Sequence, residues 1–207
     1  GPRLFARNCA TCHRYGGDDG LGGQPKDPPS ASDLKGFASR EWLAGLLNPA
    51  TVDSLRYFGG TKHRDGKMPR FVKEDVATFG AADQASLRLA LAALSAEAGL
   101  KAQRDTDLRD AALMAEGRRQ LVGDAMNCTS CHKFHEEDQN GGAPDLTGYG
   151  SRDWLIAFIS NPAHERFYGA GNDRMPAFGA DQKLSAEEIG LIADWLRGDW
   201  YAADGTR

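Results

Sequence analysis

The sequence predicts an all-α protein built from two tandem domains, each with a few helices separated by long loops. Apolar residues recur at helical spacing in several stretches, no alternating strand pattern appears, and a block of sequence occurs twice. The length of 207 residues fits two domains of about 100 residues. We predict domains at residues 1–99 and 106–207, joined by a polar linker at residues 100–105.

The repeated block shows that the chain is a duplication. Asp33–Leu43 and Asp145–Leu155 are identical at seven of eleven positions. Three further matches keep the same order along the chain: Asn48-Pro49 with Asn161-Pro162, Arg56 with Arg166, and Met68-Pro69 with Met175-Pro176. The first copy carries about seven extra residues after Pro25, which we predict to form a surface loop.

Several helices are predicted from apolar spacing and from signals at their ends. Residues 107–122 show helical spacing, and Ser185 with Glu188 forms a capping box before the last helix. Short helices at 39–47 and 151–160 each end at an Asn-Pro pair, because proline disfavours helical backbone at the preceding residue.

Composition and charge exclude some classes of function. Hydrophobic residues make up 41% of the chain and charged residues 26%, with a mean hydropathy of −0.52, which is typical of soluble globular proteins. The net charge of −4 argues against a nucleic-acid-binding protein. The opening Gly1-Pro2 is typical of a protease cleavage remnant, so we expect an upstream segment, such as an export signal or membrane anchor, to have been removed.

All four cysteines lie in two copies of one motif. The copies are Cys9-x-x-Cys12-His13 and Cys128-x-x-Cys131-His132. C-x-x-C-H attaches c-type haem: the two thiols form thioethers and the histidine binds the iron. A zinc site shared by the four cysteines and a pair of disulfides are the alternatives. Neither explains a histidine after both motifs, which lie 119 residues apart, so we predict two covalently bound haem c groups.

A second axial ligand for each iron is predicted from the repeat. Met68 and Met175 follow His13 and His132 by 55 and 43 residues, and each precedes a proline. This separation allows the chain to return on the opposite face of the haem. His63 is an alternative to Met68. The remaining candidates are predicted to be core or surface residues: Met114, Met126, His135 and His164.

Two prolines are predicted to orient the histidines. The carbonyl oxygens of Pro25 and Pro144 are expected to accept a hydrogen bond from Nδ1 of His13 and His132. This contact would set the tautomer and the orientation of each imidazole ring.

Two tryptophans and two arginines are predicted to line the haem pockets. Trp42 and Trp154 are expected to pack on the haem edge and donate their indole N–H to a propionate, with plain core packing as the alternative. Arg56 and Arg166 are expected to neutralise propionates, with an ordinary surface position as the alternative.

Both halves resemble class I c-type cytochromes, and the resemblance covers nearly the whole chain. It consists of C-x-x-C-H, a proline, a D-L-x-G-F/Y loop, a W-L helix, an M-P pair and a C-terminal helix, in that order. The tandem arrangement resembles the dihaem cytochrome c subunits of quinol:cytochrome c oxidoreductases. The first half departs from the pattern, because only Leu4 and Phe5 remain of its N-terminal helix. We therefore expect the chain to come from a longer, membrane-associated protein.

The resemblance implies an electron carrier with no catalysis of its own. It would lie in the periplasm or at the outer face of the cytoplasmic membrane, and exchange electrons with a quinol-oxidising complex, another cytochrome or a terminal oxidase. The alternative is a dihaem enzyme such as a peroxidase, in which one haem opens its distal site. Retention of M-P in both halves argues against this alternative.

Overall fold

The computed structural model describes residues 1–123, 126–135 and 142–199, and its fold is helical as predicted. Within these residues the α-helices are α1 Pro2–Asn8, α2 Arg40–Leu46, α3 Lys67–Glu74, α4 Ala81–Glu97, α5 Arg104–Arg109, α6 Ala111–Val122, α7 Arg152–Ser160 and α8 Ala186–Leu196. The described residues form isolated β-bridges but no β-strand. None of their helices is long and apolar enough to cross a bilayer. The predicted second domain extends to residues 200–207, which lie outside the described part.

Serine caps set the starts of three helices. Ser39 and Ser151 accept a hydrogen bond from the backbone N–H three residues onward, at the start of α2 and α7. The predicted capping box is present at α8, where the side chains of Ser185 and Glu188 each bond the other residue's backbone N–H.

Three segments differ from the prediction. The helix predicted over residues 107–122 is interrupted at Asp110, where α5 gives way to α6. The linker predicted at residues 100–105 contains a 3-10 turn and the first residues of α5. Helix α3, which contains Met68, was not predicted from the sequence. Its counterpart in the second half, around Met175, is a loop.

The N-terminal helix of each half packs against the C-terminal helix of the other half. α1 lies on α8, and α6 lies on α4. Each C-terminal helix also contacts the short helix of its own half, since α2 packs on α4 and α7 on α8. The helices therefore pack across residues 100–105, and the division into two domains at this segment stays a prediction.

Two clusters of buried apolar side chains follow from this pairing. The larger core joins α2 and α4 to α6 and α7, with Leu43, Leu91, Leu121 and Leu155 among its members. The smaller core joins the first residues of the chain to the last helices. Its buried members are Phe5, Ala10, Ile159, Phe178, Leu184, Ile189, Ile192, Trp195 and Leu196.

A glycine permits the close approach of α6 to α4. At Gly117 a Cβ would collide with the carbonyl oxygen of Leu89 and would lie 2.8 Å from Cβ of Ala93. The two backbones can therefore touch only because position 117 has no side chain.

Candidate haem sites

The two C-x-x-C-H motifs adopt the same tight turn. In the first, Cys12 N–H and His13 N–H donate to the carbonyl of Cys9 at 3.1 and 2.8 Å. In the second, Cys131 N–H and His132 N–H donate to the carbonyl of Cys128 at 3.2 and 2.9 Å. Each turn follows an N-terminal helix, and it gathers two sulfurs and one imidazole at the end of that helix.

The four cysteines are unpaired thiols. Burial raises the pKa of Cys9 to about 12 and that of Cys128 to about 11, so both are neutral at physiological pH. In the part of the chain that the structure describes, no three His, Cys, Asp or Glu side chains are arranged to hold a metal ion. The structure therefore does not bring the cysteines together as the zinc alternative requires, and it does not join them as disulfides.

Each motif histidine has its Nδ1 bound to a backbone carbonyl. His132 Nδ1 donates to the carbonyl oxygen of Pro144 at 2.7 Å, which is the hydrogen bond predicted from the sequence. His13 Nδ1 donates to the carbonyl of Ser32 at 2.8 Å, so the prediction for Pro25 is wrong. Because a carbonyl only accepts, the proton lies on Nδ1 and the lone pair of Nε2 is left for a metal. Burial lowers the pKa of both histidines, which favours the neutral ring.

Ser32 replaces Pro25 because of the insertion in the first half. Ser32 directly precedes Asp33, just as Pro144 directly precedes Asp145. The extra residues after Pro25 move it away from the motif, and the position before the D-L pair takes over its contact. The sequence contained this information, because aligning the two D-L pairs, rather than the two prolines, places Ser32 opposite Pro144.

The D-L pair itself is anchored to the residue after each histidine. Leu34 N–H donates to the carbonyl of Arg14, and Leu146 N–H donates to that of Lys133, both at 2.8 Å. These bonds fasten the loop that carries the accepting carbonyl beside the imidazole ring. The two halves therefore build the same support for their histidines.

The tryptophans use their indole N–H within the protein. Trp42 Nε1 donates to the carbonyl of Asp33 at 3.0 Å, and Trp154 Nε1 donates to that of Asp145 at 3.0 Å. Both side chains are buried in the larger core. The prediction that the indole N–H groups donate to a propionate is therefore wrong. Their acceptors are backbone carbonyls of the D-L loops.

The two arginines differ between the halves. Arg166 donates to the Asp145 carboxylate at 3.0 Å and to the carbonyl of Thr147 at 2.8 Å, so an acidic residue of the protein already pairs its charge. Arg56 instead lies over the ring of Tyr57, 5.8 Å from its centroid. It also lines an open cavity of about 740 Å³ beside the first motif.

The two candidate methionine ligands are half-buried and lie in different cores. Met68 packs against the larger core and Met175 against the smaller one. The carbonyl of Met175 accepts a hydrogen bond from the side-chain amide of Asn172 at 3.0 Å, which steadies the loop. His63, the alternative ligand, stacks on the ring of Tyr168 with 5.5 Å between the ring centroids.

The other candidate residues lie where the sequence predicts. Met114 and Met126 are buried in the core, with 5% of each exposed. His135 and His164 lie on the surface. His135 also contacts the carboxylate of Glu97 at 3.2 Å.

The residues present fit covalently attached haem. Two adjacent free thiols, an imidazole with a free Nε2 and a half-buried thioether occur in both halves. The donor chemistry thus agrees with the interpretation of the motif.

Comparison with protein families supports this assignment. The family model for cytochrome c matches residues 1–86, and that for cytochrome c oxidase, cbb3-type, subunit III matches residues 112–196. Neither the curated proteins nor the solved structures gave a match. The two matches together support a c-type cytochrome. Both halves match models of cytochrome c domains, which are modules that bind covalent haem c and transfer electrons.

Proposed function

We propose that the chain is a dihaem cytochrome that carries single electrons between partners of a respiratory chain. The observation that carries this proposal is the identical support of His13 and His132, each with Nδ1 bound to a carbonyl at the end of the same turn. A haem bound at each motif would supply a reversible one-electron change of its iron.

The residues of the chain would keep that electron transfer free of large rearrangements. The carbonyls of Ser32 and Pro144 hold the imidazoles in one orientation. The thioethers of Met68 and Met175 are the proposed sixth ligands. A soft thioether ligand raises the reduction potential of a haem and leaves no open position for a substrate.

A membrane-associated complex is the proposed setting. The second half matches a family named as a subunit of cytochrome c oxidase, which supports a respiratory context. Covalent haem attachment takes place outside the cytoplasmic membrane, so we propose the periplasm or the outer face of that membrane. The proposed partners are redox proteins: a quinol-oxidising complex, another cytochrome or a terminal oxidase.

Haem content and spectra test the proposal directly. The purified protein is expected to hold two covalent haems, both low-spin, with a far-red band from thioether-bound Fe(III) and no reaction with carbon monoxide. One haem per chain would contradict the dihaem assignment. A high-spin haem that binds carbon monoxide would instead favour the dihaem enzyme.

Ligand variants test the methionines. Met68→His and Met175→His are each expected to lower the potential of one haem markedly, because imidazole favours Fe(III) more than a thioether does. Met114→Leu is the matched control: it changes a buried methionine away from both motifs and is expected to leave both potentials in place. Unchanged potentials in a Met→His variant would contradict that ligand.

A further inference from the structure

The same helix contact occurs twice, each time between the two halves. At Gly117 in α6, a Cβ would collide with the carbonyl oxygen of Leu89 in α4. At Gly1, just before α1, a Cβ would lie 3.1 Å from the carbonyl oxygen of Leu191 in α8. Each N-terminal helix therefore approaches a C-terminal helix closely, and that partner comes from the other half.

The first haem-attachment motif belongs to this crossed packing. The smaller core and the side chains packed on it come only from residues up to Leu34 and from Ile156 onward. Cys9 packs on this core, and so does Met175. Cys9 of the first motif thus shares its core with apolar groups of the second half, including the methionine that precedes α8.

The second motif shows the reciprocal arrangement. Cys128 packs against the larger core, together with Met68 and Phe71 of α3. Leu146, the counterpart of Leu34, is buried in that core. Each methionine therefore shares an apolar core with the motif of the other half.

Two equivalent residues of the repeat lie in contact with each other. Ala38 and Gly150 match in the repeat, and both have positive φ, at 64° and 74°. A Cβ on Gly150 would collide with Cβ of Ala38, so the two segments touch. Beside them, the ring centroids of Phe37 and Tyr149 are 5.3 Å apart. Equivalent loops of the two halves therefore meet at one contact, where both turn sharply.

We propose that the axial methionines are exchanged between the halves, with Met175 opposite His13 and Met68 opposite His132. This inference rests on the proposed function, which supplies two haems with histidine and methionine ligands. The new element is the assignment of each methionine to the iron of a particular histidine. A thioether can bind an iron only from within the same pocket, and Cys9 shares its core with Met175 rather than Met68. Each haem pocket then requires both halves of the chain.

A variant with one haem tests the pairing. In the full chain, Cys128→Ser with Cys131→Ser leaves only the haem on Cys9 and Cys12. In this background, Met175→Ala is expected to abolish the far-red band, whereas the matched Met68→Ala is expected to retain it. The reverse result would overturn the exchange and would leave the proposed histidine and methionine ligation intact.

A measurement on the protein with both haems keeps the test independent of that variant's folding. Methionine methyl groups labelled with ¹³C would be assigned with Met68→Leu and Met175→Leu. In the reduced protein, the methyl of Met175 is expected to show nuclear Overhauser contacts to the haem whose thioether protons contact Cys9. Contacts to the haem on Cys128 instead would overturn the exchange. Absence of any axial methionine methyl signal would contradict the proposed function as well.

Discussion

The ring of Phe5, in the first helix, lies 5.1 Å from the ring of Trp195, in the last, measured between centroids. Tyr15, which follows the first motif, contacts the same indole at 4.2 Å. Phe5 is fully buried and only 3% of Trp195 is exposed. This aromatic cluster joins the two ends of the described chain and closes the smaller core around the first motif.

Truncation of Phe5 should therefore destabilise the whole protein. Phe5→Ala is expected to lower the free energy of unfolding by about 3–5 kcal/mol, because it removes a buried ring and leaves a cavity. Urea unfolding of the holoprotein measures this change. Leu191→Ala is the control, since Leu191 is 46% exposed on the same helix as Trp195. Equal losses in the two variants would contradict the importance of the α1–α8 contact.

The approach of α6 to α4 predicts a cost for any side chain at position 117. Gly117→Ala is expected to lower the free energy of unfolding by about 1–3 kcal/mol, although alanine favours helix, because the helices must separate. Gly171→Ala is the matched control, because a Cβ there meets no atom within 4 Å. A Gly117→Ala variant as stable as the original protein would show that the helices do not touch there.

A buried serine connects the loop before α2 to the segment at residues 100–105. Ser95 Oγ donates to the carbonyl of Ala38 and accepts from Gln103 Nε2, both at 2.8 Å, and the side chain is fully buried. Ser95→Ala is expected to lower the free energy of unfolding by about 1–3 kcal/mol, because both partners lose a hydrogen bond. Ser86→Ala, on the same helix and half-buried, should change it far less.

The two arginines of the D-L loops should respond differently to substitution. Arg166→Ala removes the ion pair of Asp145, which is only 8% exposed, and is expected to cost about 1–3 kcal/mol of unfolding free energy. Arg56→Ala should cost less than about 0.5 kcal/mol. In the first half, backbone N–H groups of Gly16 and Gly17 already bind the Asp33 carboxylate, at 2.9 and 2.7 Å. Thermal unfolding of both variants would show whether the halves differ in this way.

The partial burial of His63 predicts that the free energy of unfolding falls in acid. Burial, and then the charge of Lys62, lower the pKa of His63, while Asp173 opposes them. His63 therefore binds a proton less readily in the folded state than in the unfolded state. The free energy of unfolding consequently falls as the pH drops below about 6.5. In urea titrations between pH 7 and 5, His63→Gln should lose less stability than the original protein. Lys62→Ala should give an intermediate result, and identical slopes would contradict the prediction.

Much of each candidate haem site could be predicted from the sequence because it is built from short-range contacts. The turn of each C-x-x-C-H motif spans a few residues, and so do the serine caps of α2, α7 and α8. The support of His132 by Pro144 follows from a fixed offset along the chain. The corresponding prediction failed at Pro25 because the insertion changed that offset, and Ser32 lies at the position that matters.

The helix pairing could not be predicted, since the sequence permits two arrangements. Each C-terminal helix has a leucine carbonyl at the equivalent position, Leu89 in α4 and Leu191 in α8. Each N-terminal helix has a glycine, within α6 or just before α1, that can approach such a carbonyl. An N-terminal helix could therefore pack on the C-terminal helix of its own half or on that of the other half. The sequence alone determined the helices, the two attachment motifs and the candidate ligands. Only the tertiary structure decided which helix pairs with which, because this depends on contacts between residues distant in the sequence, such as those of α1 with α8 and of α6 with α4.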